Sequence, residues 1–132
     1  MKCLIVEDID FVREMMVSYL TGYAEIDTAA DGAAGYELFL SAIEKHEPYD
    51  LVCLDIQMPN MDGQEALKKM RRIENESPTV DKKSIIIMTT ALSDTKDIMQ
   101  SIWEGDSSDY LVKPVNKDEL LALLKKYHLI EQ

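Results

Sequence analysis

The sequence predicts an α/β fold: a doubly wound, five-stranded parallel sheet with five helices covering both faces. Three observations predict it. Short apolar runs alternate five times with stretches whose apolar residues recur at helical spacing. Most of the runs lack the in–out alternation of a half-solvated strand, as expected for strands covered on both faces. The connections are short, which suits right-handed crossovers.

Each element has its own signature. Cys3-Leu4-Ile5-Val6 reads as the first strand, and Val12, Met15, Met16, Tyr19 and Leu20 give the first helix. Ala24 to Ala29 alternates weakly and reads as an edge strand; Tyr36, Phe39, Leu40 and Ile43 give the second helix. Leu51-Val52-Cys53-Leu54 is a fully apolar third strand. The third helix carries Gly63, Ala66, Leu67 and Met70, with Asp62 as its cap and Glu65 three residues on. Ile85 to Met88 is the most β-branched strand, followed by a fourth helix with Thr95, Ile98, Met99 and Ile102. Tyr110-Leu111-Val112 is the fifth strand. The fifth helix carries Leu120, Leu123, Leu124 and Tyr127, with Asn116 and Glu119 as cap and reply.

Composition bounds the function. The 132 residues fit a single domain, 46% hydrophobic and 30% charged, as in ordinary globular proteins. No apolar run approaches the ~18–20 residues of a membrane span, and no signal-peptide pattern follows Met1, so a cytoplasmic setting is expected. The 25 Asp and Glu against 14 Lys and Arg give a net charge of −11. Such a surface disfavours nucleic acid and anionic membrane; it suits a cation or a partner protein. Cys3 and Cys53 lie inside apolar strands and read as buried free thiols. The eight methionines read mostly as core, and His46 and His128 as exposed helix ends.

In a doubly wound sheet, ligands bind beyond the carboxyl ends of the strands. Glu7-Asp8 follow the first strand, Asp55 the third, Thr89-Thr90 the fourth and Lys113-Pro114 the fifth. Singly these have ordinary readings: Glu7 and Asp8 suit a helix start, and Asp55 a loop. Together they place three carboxylates, a hydroxyl and an ammonium at one sheet edge. Converging carboxylates repel, and a hard divalent cation with oxygen ligands relieves them. The neighbouring lysine and threonine suit phosphate oxygens.

These residues resemble the receiver domains of two-component response regulators, of which the stand-alone chemotaxis receiver is the small example. The resemblance covers essentially the whole chain. It rests on Leu4-Ile5-Val6-Glu7-Asp8, on Leu54 through Gly63 (D-x-x-M-P-x-M-D-G from Asp55), on Thr90-Ala91, and on Asp109 through Pro114. It implies a flavodoxin-like fold with strand order 2-1-3-4-5, over one domain at residues 1–132. It implies that Asp55 is the phosphoacceptor and that Glu7, Asp8, Asp55 and the Gln57 main-chain oxygen hold Mg²⁺, or Mn²⁺ in its place, Glu7 partly through water. It further implies that Lys113 and Thr90 bind the phosphoryl group, that Thr90 and Tyr110 form the switch, and that the bond before Pro114 is cis. The implied partners are a sensor histidine kinase or histidine phosphotransfer protein and a downstream protein, with no direct nucleic-acid or membrane binding. The surface expected to change is the fourth helix, fifth strand and fifth helix, with Trp103, Tyr110, Lys117 and Lys126 as contacts, although Trp103 reads equally well as a core residue.

The expectation is signalling, not turnover of an external substrate. The alternatives are a phosphorelay intermediate, a receiver cut from a longer regulator or hybrid kinase, and an unphosphorylated binding module. A dehalogenase-type hydrolase needs a second aspartate two residues after the nucleophile, where Gln57 stands. A flavin-binding protein wants a phosphate cradle where Glu7-Asp8 would repel it. The chain departs from the commoner receiver pattern in having Glu-Asp instead of Asp-Asp, two adjacent threonines, one extra residue between Gly105 and Tyr110, and a long connection from Glu74 to Lys83.

Overall fold

Five strands form the sheet: β1 (Lys2–Val6), β2 (Glu25–Ala29), β3 (Leu51–Asp55), β4 (Ile85–Thr90) and β5 (Asp109–Val112). Every pairing is parallel and the order is β2-β1-β3-β4-β5. The computed structural model describes residues 1–58, 61–91, 96, 99, 104 and 106–131. Among these are four helices: α1 (Asp10–Leu20), α2 (Gly32–Glu44), α3 (Gly63–Glu76) and α4 (Lys117–Lys126). The last is the fifth helix of the sequence reading. Thr95, Ile98 and Ile102 of the expected fourth helix, and Trp103, lie outside the described residues.

Alternation along the strands divides the core into two layers. Leu4, Val6, Val52, Leu54, Ile86 and Met88 meet Phe39 of α2 and Leu67 and Met70 of α3. Cys3, Ile5, Leu51, Cys53, Ile87 and Leu111 meet Met16 and Leu20 of α1 and Leu120 and Leu124 of α4. Both cysteines are free and buried. The outermost strand, β2, is largely exposed, as its weak alternation foretold. Met99 departs from the core reading: it is exposed.

Caps fix the helix starts. Asp62 accepts from the Glu65 amide, and Asn116 from the Asp118 and Glu119 amides. The Glu119 side chain is exposed and makes no reciprocal bond. Asp31 caps α2 through the Ala34 amide, a cap that the helical spacing alone did not reveal. α2 and α4 end alike. His46 and His128, both exposed, adopt φ of 60°. Their amides, with those of Glu47 and Leu129, bond back to the last helical turn. No helix among the described residues is long and apolar enough to cross a membrane.

Candidate functional site

The carboxyl ends of the central strands converge because the sheet is parallel and its strands end in register: Asp55 pairs with Thr89, and Thr90 with Val112. Glu7 follows β1, and its amide continues the ladder to the Ala29 carbonyl. Asp55 is the last residue of β3, and Lys113 follows β5 with its amide bonded to the Thr90 carbonyl. The Lys113–Pro114 bond is cis.

Side chains meet across this edge. The Lys113 ammonium lies 3.0 Å from Glu7 Oε2 and 3.2 Å from Asp55 Oδ1. One carboxylate oxygen each from Glu7, Asp8 and Asp55 lie within 4.8 Å of one another. Glu7 and Asp55 are 1% and 3% exposed, while Asp8 is partly open. Glu7 Oε1 accepts weakly from the Ile9 amide at 3.2 Å. Among the described residues, its buried Oε2 makes no well-directed hydrogen bond and has the nearby ammonium alone as a partner.

The electrostatics follow from this crowding. Burial, then the Glu7 charge, push the Asp55 carboxyl from 3.8 up to about 7, although Lys113 pulls the other way. Burial alone would lower the Lys113 ammonium, but Glu7 and Asp55 outweigh it and the net shift is upward. One ammonium thus serves two carboxylates, with a third alongside. An oxygen-only donor set of this span, with a buried carboxylate oxygen lacking a directed partner, fits a hard divalent cation.

The loop after Asp55 is shaped by one glycine. The Gly63 amide donates to the Ile56 carbonyl at 2.7 Å, so the chain doubles back onto the end of β3. A Cβ at Gly63 would overlap the Asp55 carbonyl oxygen and the Ile56 Cα. The aspartate and glycine that close the sequence motif therefore cap α3 and let it start against the Asp55 backbone. Met58 and Met61 of the motif pack on the α2–α3 core layer. Gln57 is exposed, and Pro59 and Asn60 lie outside the described residues.

Thr90 ends β4, and Tyr110 lies on the adjoining β5. Both threonines of β4 are buried. The Thr90 hydroxyl donates to the Ala91 carbonyl at 2.9 Å and does not engage Asp55. Tyr110 pairs with Met88 and packs against the same core layer, half-buried. Lys117 is exposed, and Lys126 is tied to Asp109 at 3.0 Å. Just before β5, the backbone is tied to β4. The Ser108 amide bonds to the Ile86 carbonyl at 2.8 Å and its hydroxyl accepts from the Ile86 amide at 3.0 Å.

Sequence reasoning missed one cluster. Arg71 and Glu74 are buried at the amino end of the sheet, joined at 2.7 Å. The signal was present: the buried stripe Gly63, Ala66, Leu67, Met70 continues at helical spacing onto Arg71 and Glu74. Two opposite charges on a buried face must pair.

Known proteins resemble this chain throughout. The family model described as response regulator receiver domain matches residues 3–125. The transcriptional regulatory protein DltR of Streptococcus agalactiae is 37% identical over 127 residues, which cover 95% of this chain and 50% of DltR. The chain thus spans about half the length of that relative. The chemotaxis protein CheY of Bacillus subtilis is 34% identical over 127 residues, with 95% of each chain covered. A solved CheX–CheY–BeF₃–Mg²⁺ complex from Borrelia burgdorferi aligns with a TM-score of 0.81 at 27% identity, over 96% of this chain and 88% of that one. With the sheet order and the acidic edge already in place, these matches settle the family: the chain belongs to the response regulator receiver domains.

Proposed function

We propose that Asp55 is the phosphoacceptor of this receiver, working within a single domain over residues 1–132. Membership of the family implies phosphorylation-dependent signalling. The observation that carries the finer reading is the Asp55 carboxyl, buried at the end of β3 between Glu7 and a lysine ammonium 3.2 Å away. An Asp55 oxygen attacks the phosphorus in line. The new O–P bond forms as the P–N bond to a histidine of a sensor kinase or histidine phosphotransfer protein breaks. Lys113, held by Glu7, donates to the phosphoryl oxygens and offsets their growing charge. Mg²⁺, or Mn²⁺ in its place, when bound neutralises those oxygens, and Asp8, Asp55, the Gln57 carbonyl and, through water, Glu7 are the groups that would hold it. The BeF₃ and Mg²⁺ in the related CheY complex support that reading.

The product adds nearly two negative charges beside Thr90. The Thr90 hydroxyl then exchanges the Ala91 carbonyl for a phosphoryl oxygen, and Tyr110 turns toward the space it leaves. The surface that changes comprises the 95–103 segment, β5 and α4, with Trp103, Tyr110, Lys117 and Lys126 as contacts. A net charge of −11 favours a partner protein over nucleic acid or membrane as its reader, in a cytoplasmic setting. No external metabolite is turned over; the chain catalyses only its own phosphorylation and dephosphorylation.

Incubation with acetyl phosphate and Mg²⁺ should add one phosphoryl group by intact mass, and Asp55→Asn should abolish it. Undiminished labelling of Asp55→Asn would sink the assignment.

A further inference from the structure

α3 touches the site at one end and the start of β5 at the other. At its first residue, Gly63 sits so close to the Asp55 and Ile56 backbone that not even a methyl fits between them. At its last turns, Arg71 reaches across the amino end of the sheet. Its Nε donates to the Asp106 carbonyl at 2.6 Å, and its Nη1 to Glu74 Oε1 at 2.7 Å and to the Ser84 carbonyl at 2.9 Å. The other Glu74 oxygen accepts from the Ser84 amide at 2.7 Å. Arg71 Nη2 lies 3.4 Å from the Ser108 hydroxyl. Ser108 is in turn bonded to Ile86 of β4, and its carbonyl accepts from the Tyr127 hydroxyl at 2.7 Å. Tyr110 follows two residues later.

We propose that Arg71 and Glu74 are positioning residues: they make α3 a second mechanical link between the loop after Asp55 and the segment that sets Tyr110, independent of Thr90. The proposal rests on the reading that Asp55 is phosphorylated. A buried ion pair contributes little net stability against an apolar pair of similar volume, so stability does not explain this one well. A guanidinium fork with four fixed partners fixes position instead. The fourteen residues of α3 span roughly 20 Å, about the depth of the sheet, and its core face is packed along its length, so it moves as one body. A shift of the Asp55 loop displaces Gly63, and the other end of the same rod displaces Asp106 and Ser108.

The test is amide hydrogen exchange, residue by residue, on the full chain with and without beryllofluoride and Mg²⁺. In the native chain, both Asp55–Gln57 and the 106–110 segment should change protection. In Arg71→Met/Glu74→Leu, which leaves neither charge unpaired, the response at 106–110 should fall by about fivefold or more, the lower end of ordinary coupling. The response at Asp55–Gln57 and Thr90 should persist. Glu74→Gln, which keeps an acceptor for Arg71, serves if the double variant does not fold, and should weaken the same remote response. An unchanged response at 106–110 in a folded variant overturns the proposal, as does a loss of protection spread evenly over β1 and β3. No response at Asp55–Gln57 in the native chain overturns the phosphoacceptor reading and the clamp with it.

Discussion

Asp55 makes the fold pH-dependent in an unusual direction, and Asp55→Asn exposes it. The carboxyl titrates near 3.8 when unfolded and at about 7 when folded, because burial and Glu7 disfavour its charge. Between those values the native state binds the extra proton, so stability is highest at low pH and is lost as pH rises toward 7. Between pH 5 and pH 8 this one group removes about 2–3 kcal/mol. Asparagine does not titrate and does not repel Glu7, although it gives up the ion pair to Lys113. The stability of Asp55→Asn relative to wild type, from urea unfolding followed by circular dichroism in EDTA, should therefore grow by about 2–3 kcal/mol from pH 5 to pH 8. Taking the difference cancels other groups, such as Asp109, whose carboxyl is lowered by Lys126, Tyr110 and Tyr127 despite partial burial. Adding Mg²⁺ at pH 8 to about ten times its dissociation constant should return roughly 1.4 kcal/mol to wild type and little to the variant. A gap that stays constant or narrows with rising pH refutes the account of Asp55 as a buried carboxylate crowded by Glu7.

Three further outcomes follow. Gly63→Ala should destabilise the fold by about 1–3 kcal/mol in thermal or urea unfolding despite alanine's better helix propensity, because the added methyl meets the Asp55 and Ile56 backbone, which cannot yield. His46→Gly should raise stability by about 0.5–1 kcal/mol in the same measurement, since φ of 60° strains an exposed histidine and not a glycine. Thr90→Ala should leave acetyl phosphate labelling of Asp55 largely intact by mass, yet reduce the preference of a partner protein for the phosphorylated form; a preference that survives in full assigns the relay to Thr89 or to another face.

The sheet was legible because burial on both faces writes itself as uninterrupted apolar runs. Cys3–Val6, Leu51–Leu54 and Ile86–Met88 leave no solvated face to read otherwise. The site was legible for a related reason: polar residues directly after such runs must sit at the strand ends, so Glu7, Asp55 and Lys113 could hardly avoid meeting. Less legible was what each side chain does on arrival. Spacing could not tell that Glu7, through its longer arm, holds Lys113 at 3.0 Å and is more buried than Asp8. Arg71 and Glu74 escaped notice because a charged pair at i and i+3 ordinarily reads as a solvated helix face. Only the rest of their stripe marks that face as buried.

On the proposed relay through Thr90, the resting state of that residue bounds how strong the switch would be. Its hydroxyl is buried and satisfied by the Ala91 carbonyl, a neutral bond of about 0.5–1.5 kcal/mol net. Moving to a phosphoryl oxygen forfeits that bond and gains a charge-assisted one of about 1.5–3 kcal/mol. The surplus is on the order of 1 kcal/mol, which shifts a two-state equilibrium roughly fivefold. So small a drive moves a surface appreciably only if its two arrangements already lie close in free energy. Tyr110, half-buried on β5 and free of any side-chain hydrogen bond among the described residues, is suited to such balance. The second link proposed through α3 would add its own increment to the same equilibrium. Because independent biases on one two-state element add in free energy, two links of this size shift it by more than tenfold where one shifts it about fivefold.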